Sequence, residues 1–273
     1  MPSLAETMSP FSAVVVTGGS SGLGKSFIEH IVKLNPRIVF CNLSRRIPNI
    51  NVTQLNLRHF PCDLSERAVV GRVAGEVLDF LNREVPAGRV MLINNSGFGS
   101  YGSFPEPNLE HQLGMVDVNV SAVLQLTGLL LPLLKARGGA ILNVASTAAF
   151  QPTTYMATYG ATKAFLLHWS LALNEELRGS GVRALAVCPG PTATEFSLRA
   201  GMQFGSAPEL ISMTCDQVVG ASLRALAAGR AQVVTGWKNK LLVMMSARVP
   251  KPLAARGSTL VLAKFRLKKA IPT

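Results

Sequence analysis

The sequence predicts an α/β domain built on a doubly wound parallel sheet, and three observations carry that reading. Short Val/Ile/Leu-rich runs alternate with longer helical patterns along most of the chain. Most of the runs are continuously apolar, as strands buried on both faces are. A glycine-rich turn stands at the first strand–helix junction. Repetition of this kind favours parallel strands joined by helical crossovers. The 273 residues suffice for one such domain. A hydrophobic content of 48% with 15% charged residues excludes disorder, coiled coil and collagen.

Strands are expected at residues 13–17, 37–43, 57–60, 90–94, 140–145, 182–188 and 232–235. Helices are expected at 23–34, 66–83, 109–135, 155–178 and 215–228. The last has a legible start, since Thr214 with Gln217 forms a capping box, and Gly229 supplies its stop. The most apolar stretch, 120–134, contains Gln125, Gly128 and Pro132. At about 15 residues it falls short of a bilayer span and reads as a buried helix. No repeat or linker divides the chain. The expected organisation is a single body over 1–235 and a basic extension over 236–273. A strand-free insertion at 195–213, with Gly201, Gly205 and Pro208, reads as a substrate lid or as a surface loop.

Charge is unevenly spread. Residues 1–216 hold 16 Lys/Arg and 15 Asp/Glu, whereas residues 217–273 hold 11 Lys/Arg and no acid. A segment of that kind suits anionic lipid, phosphorylated ligands or nucleic acid, or is simply a solvated surface. Nucleic acid is disfavoured, because the tail carries Trp237 and Phe265 but no recognisable module. The first residues carry Glu6 and no basic run, so no secretory signal is expected. Cys41, Cys62, Cys188 and Cys215 form no Cys-x-x-Cys pair, and the four His share no ligand spacing. Neither disulfides nor a metal site is expected, and the compartment reads as a reducing cytoplasm.

The first strand ends in Thr17-Gly18-Gly19-Ser20-Ser21-Gly22-Leu23-Gly24. Gly18 allows a sharp turn, Gly22 clears the approach of a pyrophosphate, and Gly24 permits close helix–strand packing. The free N–H groups of the following helix N-terminus complete an anion site. The second strand ends in Ser44-Arg45-Arg46, with no carboxylate to accept from a ribose 2′-hydroxyl. Two guanidiniums there suit a 2′-phosphate, so NADP(H) is the expected cofactor.

Tyr159 and Lys163 stand four apart in a helical pattern and share one face. An ammonium near a phenol lowers its pKa towards the working range. Ser146, just past the fifth strand, is placed to hold a carbonyl oxygen.

With these residues in order, the chain resembles the short-chain dehydrogenase/reductase family over residues 14–235. The matches are Thr17-Gly18-x-x-x-Gly22-x-Gly24, Asp63, Asn94-Asn95-Ser96-Gly97, Asn119, Ser146, Tyr159-x-x-x-Lys163 and Pro189-Gly190. Ser96 replaces the usual Ala, and Thr162 precedes Lys163 where Ser is commoner.

The resemblance implies a single-domain Rossmann fold with a seven-stranded parallel sheet. It implies Tyr159 as acid or base, Lys163 as its modulator and ribose ligand, and Ser146 as the orienter of the carbonyl. Asn119 would hold a proton-relay water. Asp63, with Leu64, would receive the adenine, although Asp63 also stands where an N-cap would. Asn95, Ser96 and Gly97 would support the adenosine side, and Pro189, Gly190, Thr192 and Thr194 the nicotinamide. A homodimer or homotetramer built on the helices over 109–135 and 155–178 would follow.

Phe98, Tyr101, Phe104, Phe196, Leu198, Met202, Phe204 and Leu210 predict an apolar pocket. Gly97-Phe98-Gly99 and the Pro189–Phe196 stretch resemble the subgroup of 3-oxoacyl thioester reductases and 17β-hydroxysteroid dehydrogenase-like enzymes. The expected activity is hydride transfer between nicotinamide and an apolar ketone, aldehyde or secondary alcohol. The alternative is a silent NADP-binding sensor or scaffold. The basic segment suits an acyl-carrier contact or the periphery of a membrane.

Overall fold

The computed structural model describes residues 3–52, 55–85, 87–202 and 212–263. Its strands are β1 (Phe11–Thr17), β2 (Val39–Ser44), β3 (Asn56–Pro61), β4 (Arg89–Asn94), β5 (Gly139–Val144), β6 (Val182–Cys188) and β7 (Gln232–Val234). All seven are parallel and lie in the order β3-β2-β1-β4-β5-β6-β7. The order reverses beside β1, which is the switch point where such sheets bind ligands. The second strand starts two residues later than expected. Ile38 N–H bonds the Asn35 carbonyl at 3.2 Å, and that turn holds Arg37 out of the sheet.

Helices cover both faces. One face packs α2 (Gly22–Leu34) and α8 (Cys215–Ala227) on alternate side chains of β1, β2 and β4. A short α1 (Leu4–Met8) joins them and buries Met8. A capping box of Ser3 and Glu6 starts this helix, which was not among those expected from the sequence. The other face packs α3 (Arg67–Glu84), α5 (Ala122–Arg137) and α6 (Ala157–Glu176), and α4 (Leu109–Val116) lies against α6. The capping box at Thr214 and Gln217 forms as expected, and Gly229 beyond α8 takes φ +64°.

The helix expected at 109–135 differs in an instructive way. α4 and α5 form one continuous rod, but Asp117–Ser121 between them is a π-helical turn. The rod is long and apolar enough to cross a membrane, yet Leu126, Leu130 and Leu134 face the sheet and are buried. A π-turn adds a residue to one turn and re-aims the side chains near it. Here the re-aimed side chain is Asn119, which is fully buried.

A buried polar chain registers α6 on the sheet. Asn94 Nδ2 donates to Thr127 Oγ1 at 3.1 Å and to Asn143 Oδ1 at 2.8 Å, and Asn143 Nδ2 donates to Ser170 Oγ at 2.9 Å. Buried polar groups are costly unless paired, so this chain specifies one placement of α6 against β4 and β5. Leu92, at the centre of β4, is wholly enclosed. Leu92→Ala is expected to lower stability by about 2–5 kcal/mol in urea denaturation, with the slope unchanged.

Candidate active site

The site lies along the carboxyl ends of the strands, in a cavity of about 1810 Å³. Its first wall is the glycine turn. Gly18 takes φ +71°, and its N–H bonds the Leu43 carbonyl at 2.9 Å, which turns the chain off β1. Gly24 packs so closely that a Cβ there would stand 2.3 Å from the Gly18 carbonyl oxygen. Asn42 in β2 accepts from Gly19 N–H at 2.8 Å. The N-terminus of α2 has no side-chain cap, so its first N–H groups and its positive dipole end face the cleft. Those features fit a pyrophosphate.

Ser20, Ser21, Gly22 and Leu23 line the cavity with Gly18, whereas Thr17 and Gly24 lie behind it. Thr17 is a strut, since its Oγ1 accepts from the N–H groups of Asn95 and Ser96 at 3.0 and 2.9 Å. Asn95, Ser96 and Gly97 are thereby drawn against the turn and line the same wall.

Ser44, Arg45 and Arg46 line the far end, beyond β2. Ser44 Oγ donates to the Arg46 carbonyl at 2.7 Å and shapes that corner. Arg45 stands 3.8 Å from Asp63, and both are partly exposed. Asp63 accepts from Ser65 N–H and Oγ–H at 3.0 and 2.7 Å, so it closes a local turn and does not cap α3, whose N-cap is Glu66. Burial raises its carboxyl pKa, but the Ser65 donors and Arg45 outweigh that and hold it below the ordinary carboxylate value. Leu64 is buried beside it on the cavity wall.

Ser146, Tyr159 and Lys163 converge at the centre. Ser146 N-caps the short 3₁₀ turn Thr147–Phe150, with its Oγ accepting from Ala148 N–H at 3.1 Å. Tyr159 and Lys163 are both buried on one face of α6. Lys163 Nζ donates to the Val144 carbonyl at 2.7 Å and stands 5.8 Å from the Tyr159 ring centre. Burial pushes the Tyr159 phenol up to about 12, with the Ser146 hydroxyl pulling it back in part. Burial likewise brings the Lys163 ammonium down to about 8, opposed by the Cys188 thiol. Desolvation therefore dominates the pair, and the expected lowering of the phenol by Lys163 is not what sets its value.

Asn119 stands behind Gly97 and does not line the cavity. Its Oδ1 accepts from Phe98 N–H at 3.1 Å, and its Nδ2 donates to the Phe98 carbonyl and to Thr162 Oγ1, both at 3.0 Å. The side chain is thus a brace between the loop after β4 and α6. Thr162, noted as a departure in the sequence, is the group that completes it.

Pro189, Gly190, Thr192 and Thr194, expected beside the nicotinamide, all line the cavity, and Thr194 reaches over Gly22. The expected apolar pocket is formed only in part. Phe98, Phe196 and Met202 line it, and Phe196 packs on Tyr159 at 5.1 Å between ring centres. Leu198 and Phe104 are instead exposed, and the Tyr101 hydroxyl bonds the Leu262 carbonyl. Residues 203–211 of the expected lid lie outside the described residues, and with them Phe204 and Leu210.

What the sequence did not reveal is the remaining wall. A four-residue helix α7 (Phe196–Arg199) is followed, after β7, by α9 (Trp237–Ser246) and α10 (Lys251–Leu262). Asn239, Leu242, Val243, Leu253 and Val261 from these two line the cavity. Asn239 is buried so tightly under Gly190 that a Cβ there would stand 2.3 Å from its Nδ2. Thr154 ties α10 down, donating to the Ala255 carbonyl at 3.0 Å and meeting Ser258 Oγ at 2.9 Å. An apolar patch at 241–245 stands in the sequence, but it has no glycine fingerprint or catalytic spacing to give it a role.

Fold and site define an oxidoreductase of the doubly wound, dinucleotide-binding class. The family model for short chain dehydrogenase matches residues 12–203, and the chain belongs to that family. It is 32% identical over 192 residues to serine 3-dehydrogenase of Rhizobium radiobacter, covering 68% of this chain and 74% of that one. It is 30% identical over 191 residues to very-long-chain 3-oxoacyl-CoA reductase of Mus musculus, covering 67% and 60%. A short chain dehydrogenase from Burkholderia cenocepacia J2315 in complex with NADP superposes with a TM-score of 0.74 at 26% identity, covering 90% and 97%.

The burial of Lys163 has a consequence for stability. Its folded pKa of about 8 lies below the ordinary 10.5, so between those values the unfolded chain binds the extra proton. Stability from this group therefore rises with pH across that window. Relative to Lys163→Met, the unliganded wild type is expected to gain roughly 3 kcal/mol from pH 8 to 10.5 in urea denaturation.

Proposed function

We propose that the protein is an NADP(H)-dependent carbonyl reductase or alcohol dehydrogenase acting on an apolar ketone, aldehyde or secondary alcohol, in the manner of a 3-oxoacyl thioester or a steroid. The observation that carries this is the convergence of Ser146, Tyr159 and Lys163 at the centre of a cavity whose one end fits a pyrophosphate and whose other end is apolar. The bound nicotinamide would supply or accept the hydride. The chain does the rest. Ser146 Oγ and Tyr159 hold the substrate oxygen between them, which polarises a carbonyl or steadies an alkoxide. Tyr159 delivers the proton in reduction and removes it in oxidation. The Lys163 ammonium stabilises the phenolate as it forms.

Cofactor preference follows from the corner beyond β2. Arg45 and Arg46 stand there, and no carboxylate follows Ser44 to accept from a 2′-hydroxyl. Asp63 is engaged by Ser65 and Arg45. The NADP complex among the similar structures supports the same choice.

Substrate class follows from the second arm. Single ligand sites span roughly 300–1,000 Å³, so a cavity of about 1810 Å³ has room for a dinucleotide and a sizeable substrate. Phe98, Met156, Phe196, Met202, Leu242 and Val243 wall that arm. This favours an extended apolar substrate over a small charged amino acid. The thioester reductase among the curated relatives supports that choice.

The deciding experiment is the initial rate of NADPH and NADH oxidation over 3-oxoacyl thioesters, keto-steroids, retinal, aliphatic aldehydes and diketones. NADPH-dependent turnover of an apolar member is expected. Tyr159→Phe should lower kcat by about 10²–10⁴-fold with NADPH binding retained. Arg45→Ala with Arg46→Ala should raise KM for NADPH about 10–100-fold and leave NADH unaffected. Equal use of both cofactors by the wild type would sink the 2′-phosphate site. Cofactor binding without turnover would favour a silent sensor.

A further inference from the structure

α9 has two faces of different character. Its inner face carries Asn239, Leu242, Val243 and Ser246 and lines the cavity. Its outer face carries Trp237, Leu241, Met244 and Met245, none of which lines the cavity and all of which are exposed, Trp237 to 73%. Positions 237, 241, 244 and 245 fall on one helical face, so this is a continuous apolar strip rather than scattered side chains. Lys240 and Arg248 flank it, and α10 adds exposed Leu260 with Arg256. No carboxylate occurs anywhere in residues 217–273, which hold 11 Lys and Arg.

We propose that the outer faces of α9 and α10 dock this protein on an anionic lipid bilayer. The choice of partner follows from charge and apolarity together. A second copy of the chain would set this cationic face against itself. An acidic protein would satisfy the cations but leave an exposed Trp and paired Met side chains unexplained. An interfacial helix with an apolar strip and a Lys/Arg border matches a bilayer surface on both counts. Geometry adds a second argument. Leu242, Val249 and Leu253 line the cavity and are also exposed, so they form its mouth beside the proposed surface. The surface is also fixed relative to α6. Thr154, just ahead of α6, is bonded to Ser258 and Thr259 of α10, and Lys251 Nζ donates to the Phe150 carbonyl at 2.7 Å. A substrate dissolved in the leaflet that faces the protein would meet the mouth without crossing water.

The test is sedimentation of the full chain with phosphatidylcholine vesicles and with vesicles containing roughly a third phosphatidylglycerol. Binding is expected only to the anionic vesicles, weakened by added salt, with a blue shift of emission that Trp237→Phe removes. Lys240→Glu with Arg248→Glu should weaken it at least about tenfold, as should Leu241→Ser with Met244→Ser. None of these side chains lines the cavity, so cofactor binding controls for folding. Failure to bind anionic vesicles overturns the proposal, as does binding indifferent to the charge reversals. So does concentration-dependent self-association that shields Trp237, or capture by an acidic acyl-carrier protein in place of vesicles. Vesicle binding needs no turnover, so this proposal and the reductase reading fail separately.

Discussion

Seven parallel strands put every carboxyl end on one edge of the sheet, and the whole site hangs from that edge. The loops after β1, β2, β3, β4, β5 and β6 must all emerge there, because a parallel crossover returns the chain to the opposite edge. A glycine turn, a guanidinium corner, a serine and a proline-glycine loop that are distant in sequence are therefore neighbours by construction. The one central element not delivered by a strand end is the Tyr159–Lys163 face of α6. The fold compensates by fastening that helix several times over, through Lys163 to Val144, Ser170 to Asn143, and Thr162 to Asn119. Each bond joins α6 to an element bordering the cleft.

Burial serves that arrangement at a cost. Tyr159 and Lys163 are buried, and desolvation drives each away from its charged form. A dry pair is less stable than an apolar one, but it sits in a medium where any charge developing beside it is felt strongly. The left-handed backbone of Tyr155, at φ +62°, stands four residues ahead of Tyr159, and local strain of this kind persists only where the surroundings fix it. The contact of Thr154 with α10 is one of those surroundings.

The sheet and the cofactor side were legible in the sequence because each rests on a local signal. Buried parallel strands read as unbroken apolar runs, and Gly18, Gly22 and Gly24 are spaced by the mechanics of one turn. Tyr159 and Lys163 declare themselves by helical period. Three features carried no such signal. Nothing in the residues around Asn119 distinguishes a π-turn from an α-helix, since the difference lies in one displaced hydrogen bond. Asn42 supports the turn only because β2 lies beside β1, which is a fact of pairing rather than of sequence. The wall made by α9 and α10 depends on contacts with Thr154 and Gly190, about 50 to 100 residues earlier in the chain.

That last wall bears on when the protein becomes competent as it is made. The phosphate turn, Ser146 and Tyr159 all precede α10, and the stretch from Tyr159 to Lys251 takes about 5–20 s to translate. Until then a nascent chain carries the residues of the glycine turn and the central tyrosine but lacks one wall of the arm. The wall contributed by α9 and α10 is thus the last part of the cavity to be synthesised. The cleft is therefore finished from its phosphate end towards its apolar end, in the order in which the chain is made.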